Sequence, residues 1–428
     1  VVISLLSVNP TPTAVHHRGG GTKPLRIALT SYRGNPFSGG QGVYIHYLSR
    51  ELALLGHEVT VFSGPPYPVV DPSVRLVHVP GLDLLGEPDP FRLPYPWDIG
   101  DLAGLGEAGL MLTGAFPDVR AFGWRLSRYL NPDDFDVIHD NQSLVPPLGR
   151  WACQGVPVVA SIHHPITVDK RIGLQMAHGL LKKVGLRRFY GFIGLQARVA
   201  RQLDNIATVS EASARDLSRE MGIMRDCISV IPVGVDTSVF RRREDVTREL
   251  DLVCTTASAD VPLKGLRTLV DAISQLPKVR LAVMGQRRPE SGLEAHVQAI
   301  GLRDRVEFMG NVDLDTMVET YSRASVAVIP SLYEGFSLPA IEAMACGTPL
   351  VASRGGALSD VVSDAGVLCA PGSVGELAEA LAHTLAHPFE AQERAEYARA
   401  RCHKMFSWRR TAELSIDQYR QAIEGRPR

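Results

Sequence analysis

No stretch of this chain approaches the roughly 18–20 consecutive apolar residues that a membrane-crossing helix needs, so none is expected. Cysteine is scarce: Cys153, Cys227, Cys254, Cys346, Cys369 and Cys402 are scattered and form no C-x-x-C pair. That pattern excludes a clustered zinc site and a disulfide framework, and it points to a reducing, cytoplasmic setting. Charge of either sign is not in excess, the net value being −1, so neither a polyanion nor a nucleic acid is implied as a partner. Also missing is G-x-G-x-x-G after a first strand, without which a nicotinamide oxidoreductase lacks its phosphate-binding turn.

What is present suffices for two cores. The 428 residues are 45% hydrophobic, which predicts two domains. Residues 1–23 open on a short apolar run without a basic flank and read as an irregular leader. Residues 25–32 then form a buried parallel strand, 43–55 an amphipathic helix closed by Gly56, and 58–63 a second strand. This is a βαβ opening. In its first loop, Gly39 and Gly40 let the backbone approach a ligand closely, the alternative being a plain flexible loop. Further strands are expected at 74–79, 136–140, 156–165, 205–210 and 228–235. The Pro-rich stretch 87–97 reads as loop. His163 and His164 fall at the carboxyl end of a strand, where open α/β sheets keep their ligands.

Residues 178–204 read as a basic helical region in which Lys182, Lys183, Arg187, Arg188, Arg198 and Arg201 alternate with apolar residues. It is either a solvated surface or a contact for an anionic membrane or acceptor. From about residue 237 the architecture repeats. Strands at 251–258, 279–285, 305–312 and 324–331 alternate with helices at 265–276, 292–300 and 313–322. A final helix runs from Trp408 to about residue 423. Asp134-x-Asp136 and Asp313-x-Asp315 read as chance D-x-D strings, one at a strand start and one opening a helix, so no metal site is assigned.

The most informative stretch is 329–356, IPSLYEGFSLPAIEAMACGTPLVASRGG. A strand turns through residues 333–337 into a helix, which Gly347 ends before another strand. A strand, a Gly-containing turn and a helix N-terminus make an anion site, since the first helical amides have no internal partner. Glu334 and Glu342 frame it, and carboxylates accept hydrogen bonds from vicinal hydroxyls. The plain alternative is a capping Glu334 and an exposed Glu342.

The spacing of Glu334 and Glu342, with Gly335-Phe336-Ser337-Leu338-Pro339 between and residues 347–352 following, resembles the E-x7-E signature of the retaining glycosyltransferases of family four. The resemblance extends over about residues 24–424. It implies a GT-B architecture: two Rossmann-like domains facing across a cleft, at 24–236 for the acceptor and 237–405 for the nucleotide-sugar donor, with the helix 406–428 crossing back onto the first.

By the same resemblance Glu334 meets the donor sugar, Glu342 binds the ribose, and Gly335, Phe336, Ser337 and Leu338 meet the diphosphate. Gly39 and Gly40 face the phosphates, His163 contacts the sugar, and Lys264 aims its ammonium at the leaving group. Relatives commonly carry an Arg where Ala259 stands here; Arg287 or Arg288 is the candidate replacement. The implied activity is transfer of a hexosyl unit from a UDP- or GDP-linked sugar to a hydroxyl acceptor with retention, without an essential metal or other cofactor. The acceptors include lipid-linked ones, which would place the protein at the inner membrane face. The alternatives are a degenerate GT-B scaffold that binds membranes or partners, and a sugar-nucleotide epimerase.

Overall fold

The structure, a computed structural model, describes residues 23–34, 40–83, 95, 99–163, 165–177, 179–256, 262–286 and 291–425. Gly39, His164, Ala259, Arg287, Arg288 and nearly all of the expected leader lie outside the described residues, as does most of the Pro-rich stretch. The chain divides into two compact units. Of the described residues, one holds those from Lys23 through Thr208, Ala214–Ile231 and Ala412–Gly425; the other holds Val209–Ser213 and Pro232–Thr411.

The N-terminal unit is built on seven parallel strands. They are β1 (Arg26–Ser31), β2 (Glu58–Ser63), β3 (Arg75–His78), β4 (Val137–Asn141), β5 (Val158–Ile162), β6 (Asn205–Thr208) and β7 (Ile228–Val230). Their order in the sheet is β3-β2-β1-β4-β5-β6-β7. Helices cover the strands, so β1, β4 and β5 read as near-continuous apolar or buried runs rather than alternating ones. The strand order reverses between β1 and β4. In an open sheet that reversal leaves a crevice beyond the strand ends, where ligands bind.

The end of the last helix, Trp408–Glu424, belongs to this unit from Ala412. Its Tyr419 hydroxyl lies 2.5 Å from His139 Nδ1, and Gln418 Nε2 donates to the Ile206 carbonyl at 3.1 Å.

The second unit has six parallel strands: β8 (Glu249–Thr256), β9 (Arg280–Met284), β10 (Val306–Gly310), β11 (Ala324–Ile329), β12 (Leu350–Ser353) and β13 (Val367–Cys369). Their order is β10-β9-β8-β11-β12-β13, with the reversal between β8 and β11. Both sheets are therefore Rossmann-like.

Several expectations are corrected. The strand expected over 228–235 stops at Val230, because Pro232 lacks the amide that would continue the ladder; Val235 instead donates to the Phe406 carbonyl at 2.7 Å. The basic region 178–204 is not one helix. It is Leu180–Phe189 and Ile193–Ala200, separated by a tight turn at Tyr190–Phe192. β13 and the helices Val374–Ala386 and Pro388–Met405 had no counterpart in the sequence reading. No helix of the described residues is long and apolar enough to cross a membrane.

Candidate active site

In the second unit, three loops leave the carboxyl ends of β8, β11 and β12 and pack backbone to backbone. Leu332 N donates to the Leu263 carbonyl at 2.7 Å, and the Glu334 carbonyl accepts from Ala357 N at 2.8 Å. Two glycines make this approach possible. At Gly265, with φ +66°, an added Cβ would stand 2.0 Å from the Pro330 carbonyl oxygen; at Gly356, with φ +64°, it would stand 2.3 Å from that of Glu334.

The packing brings together residues far apart in sequence. Glu334 Oε1 accepts from Lys264 Nζ at 2.7 Å and from Ser331 Oγ at 2.7 Å. The Glu334 side chain is 11% exposed and that of Lys264 36%. Glu334 therefore does not cap the following helix.

That helix, Leu338–Ala345, starts from Ser337 at φ +94° with no side-chain cap. The Ser337 hydroxyl is buried without a hydrogen-bond partner. An unmet buried hydroxyl beside the unpaired amides of a helix start is an acceptor-seeking arrangement that suits a phosphate. The Phe336 side chain is core, edge-on to Phe406 at 5.7 Å, so only its backbone can serve a ligand. The Gly335 carbonyl is fixed by Ser210 Oγ at 2.8 Å and Ser213 Oγ at 3.0 Å.

Glu342 lies on the same helix and is not the exposed residue of the plain alternative. It is half-buried, and desolvation pushes its carboxyl up to about 7. Among the described residues its carboxylate forms no ion pair and no hydrogen bond. A desolvated carboxylate gains when a ligand supplies donors. The two D-x-D strings have structural uses. Asp136 pairs with Arg26 at 3.0 Å. Asp313 caps its helix at Thr316 N, and Asp315 pairs with Arg243.

In the N-terminal unit, Gly40 begins the helix Gly40–Leu54 beside the β1/β4 reversal. It is exposed, and an added Cβ would meet nothing within 4 Å. His163 follows β5. Its amide donates to Gln142 Oε1 at 2.9 Å, its Nε2 lies 2.7 Å from Asn141 Oδ1, and its ring meets that of Tyr44 edge-on at 4.6 Å. Sequence reasoning missed Ser331, Gly356, Asn141 and Gln142. The Gly pair at 355–356 and the polar run ending β4 were the signals available.

Known proteins match the chain over most of its length. The family model described as Glycosyltransferase Family 4 matches residues 38–239, and that described as Glycosyl transferases group 1 matches 241–401. The MMP alpha-(1->4)-mannosyltransferase of Mycolicibacterium hassiacum is 44% identical over 93% of this chain and 98% of its own. A D-inositol 3-phosphate glycosyltransferase of Xylanimonas cellulosilytica is 32% identical over 95% and 99%.

Among solved structures, sucrose-phosphate synthase from Thermosynechococcus elongatus superposes with a TM-score of 0.72 at 25% identity, covering 94% of this chain and 99% of that one. Anabaena HepE, in complex with UDP and glucose, gives 0.66 at 18%, over 93% and 100%. The chain belongs to the group 1 glycosyltransferases of family four and is a glycosyltransferase of the GT-B fold.

Proposed function

We propose that this glycosyltransferase moves a hexosyl unit, a mannosyl unit first among the candidates, from a nucleoside-diphosphate sugar to a hydroxyl acceptor with retention of anomeric configuration. The observation that carries the reading is the convergence of Lys264, Ser331 and Glu334 beside an uncapped helix start, with the half-buried Glu342 carboxylate on the same helix. The 44% identity to a protein named an alpha-(1->4)-mannosyltransferase supports mannose and a 4-hydroxyl acceptor.

In this reading the diphosphate lies on the amides of Gly335, Phe336, Ser337 and Leu338 and on the Ser337 hydroxyl. Glu342 accepts from the ribose hydroxyls, and Glu334 from the sugar. Gly39 and Gly40 are assigned to the phosphates and His163 to the transferred sugar. As the anomeric carbon–oxygen bond breaks, negative charge grows on the terminal phosphate. Lys264 and the helix start stabilise that charge. The acceptor oxygen bonds to the anomeric carbon on the face the phosphate leaves, and the acceptor proton passes to a phosphate oxygen.

Lys264 and the amides do the electrostatic work that a divalent ion does elsewhere, so activity is expected to persist in EDTA. The reading also includes peripheral contact with an anionic membrane. On the helix Leu180–Phe189, Leu180, Leu181 and Val184 are 75%, 89% and 52% exposed beside Lys182, Lys183 and Arg187.

A panel of GDP- and UDP-linked hexoses, with the product anomer read by NMR, tests the proposal. Turnover of none of them in a folded protein, or an inverted product, would overturn it.

A further inference from the structure

β4 ends on His139, Asp140 and Asn141, followed by Gln142, and all four are buried. The chain then takes a path that residues with side chains rarely accept: Gln142 has φ +55° and Leu144 φ +48°. Such conformations are strained and persist only where the surroundings impose them. Here Asp140 imposes the turn, accepting from Thr30 Oγ1 and Leu144 N at 2.8 Å each and from Ser143 Oγ. Gln196 Nε2 clamps it further, donating to the carbonyls of Gln142 at 3.1 Å and Ser143 at 3.2 Å. The turn so held presents two side-chain amide oxygens to one residue, His163: Gln142 Oε1 to its backbone and Asn141 Oδ1 to its ring.

The ring proton can be placed from these contacts. Asn141 Nδ2 donates to the Gln41 carbonyl at 3.3 Å and to Ser31 Oγ at 3.3 Å. A carbonyl only accepts, so the amide group faces Gln41 and the amide oxygen faces His163. Only a protonated Nε2 bonds to that oxygen, and a neutral ring then has its lone pair on Nδ1. Gln41 is the residue after Gly40, so Asn141 joins the imidazole to the first turn of the helix Gly40–Leu54. Among the described residues, the titratable groups against the ring include Tyr44, pushed up to about 12 by burial, and His139, pushed down to about 3 by burial. Both are neutral at ordinary pH.

We propose that Asn141 and Gln142 are positioning residues for His163: Asn141 sets its tautomer and couples it to the start of the Gly40–Leu54 helix, and Gln142 seats its backbone. This rests on the assignment of His163 to the transferred sugar, but its structural part can be read without turnover.

Long-range proton–nitrogen NMR spectra of protein labelled with 15N-histidine report the tautomer, the His163 signals being those lost in His163→Gln. The wild type should show Nε2–H. Asn141→Leu, of similar volume, should lose that preference and lower kcat/KM by about 10–10²-fold, short of the roughly 10⁴-fold loss seen when a catalytic imidazole is fixed in the wrong tautomer. Asn141→Asp keeps the acceptor and adds charge. It should restore Nε2–H and shift the histidine limb of the kcat/KM–pH profile upward.

A wild-type tautomer and pH profile in Asn141→Leu would overturn the proposal. If that variant does not fold, an unshifted profile in Asn141→Asp would do so. Wild-type turnover by His163→Ala would instead remove His163 from the reaction, a failure of the underlying reading that the tautomer spectra do not share.

Discussion

Lys264 Nζ donates to Glu334 Oε1 across 2.7 Å, and Ser331 Oγ donates to the same oxygen at 2.7 Å. Seventy positions separate the two charged residues, yet they form a local pair, because β8 and β11 are neighbours at the point where the sheet order reverses. The sequence reading assigned one to the sugar and the other to the diphosphate as separate partners. Their contact means that neither can be altered without changing the environment of the other.

Lys264→Ala should lower kcat by about 10²–10³, the usual cost of losing one group that meets growing charge. Glu334→Gln should also lower kcat and weaken discrimination between epimeric donors. Because the pair touches, the double variant should fall well short of the product of the two losses. Steady-state kinetics of the three variants decide it. Strict multiplicativity would show that the pair does not act as a unit.

Glu342 makes stability and binding depend on pH. Its carboxyl is raised from 4.5 to about 7 by burial, so the folded protein holds a proton that the unfolded chain releases. Stability therefore falls as pH rises from about 4.5 to 7, and above that a deficit on the order of 3 kcal/mol persists. Glu342→Gln should remove the deficit, raising Tm more at pH 8 than at pH 5. Ribose hydroxyls favour the ionised form, so donor affinity should rise with pH until about 7 and then level off. Glu342→Ala should raise the donor KM by about 10–10²-fold with little change in kcat. Calorimetric titration with the nucleotide across pH tests both, and a flat profile in the wild type would exclude the ribose role.

Gly40→Val should abolish transfer and leave the fold intact. An added Cβ there meets no atom within 4 Å in the unliganded protein, so stability should stay within about 0.5 kcal/mol. The branched side chain would instead fill the space assigned to the phosphates. Wild-type turnover in a variant with an unchanged melting curve would remove Gly40 from the site.

Binding to anionic vesicles should be salt-sensitive and should weaken in Leu181→Glu and Lys182→Glu. The aromatic residues beside the basic cluster are not expected to contribute. Phe192 is buried in the core, Phe189 and Tyr190 pack against it, and Arg188 is engaged with Thr113 at 2.8 Å. Flotation with no vesicle-bound protein at low salt would sink the membrane contact.

The sequence alone determined the repeated strand–helix alternation, and with it two Rossmann-like sheets. Parallel strands covered on both faces are mostly apolar runs such as residues 326–329, and these stand out without any contact information. It also determined the E-x7-E stretch, because Glu334, the turn and Glu342 lie on one continuous strand–turn–helix. β13 escaped because three residues carry no period, and the basic region was read as helical without its break because composition does not show where a helix breaks. Only the tertiary structure decided that Lys264, Ser331 and Glu334 share one oxygen, that Gly265 and Gly356 are the places where the loops touch, that Glu342 is half-buried, and that Asn141 meets the His163 ring. Each of these depends on which strands are neighbours and in what register, and that order is fixed by long-range packing rather than by local pattern.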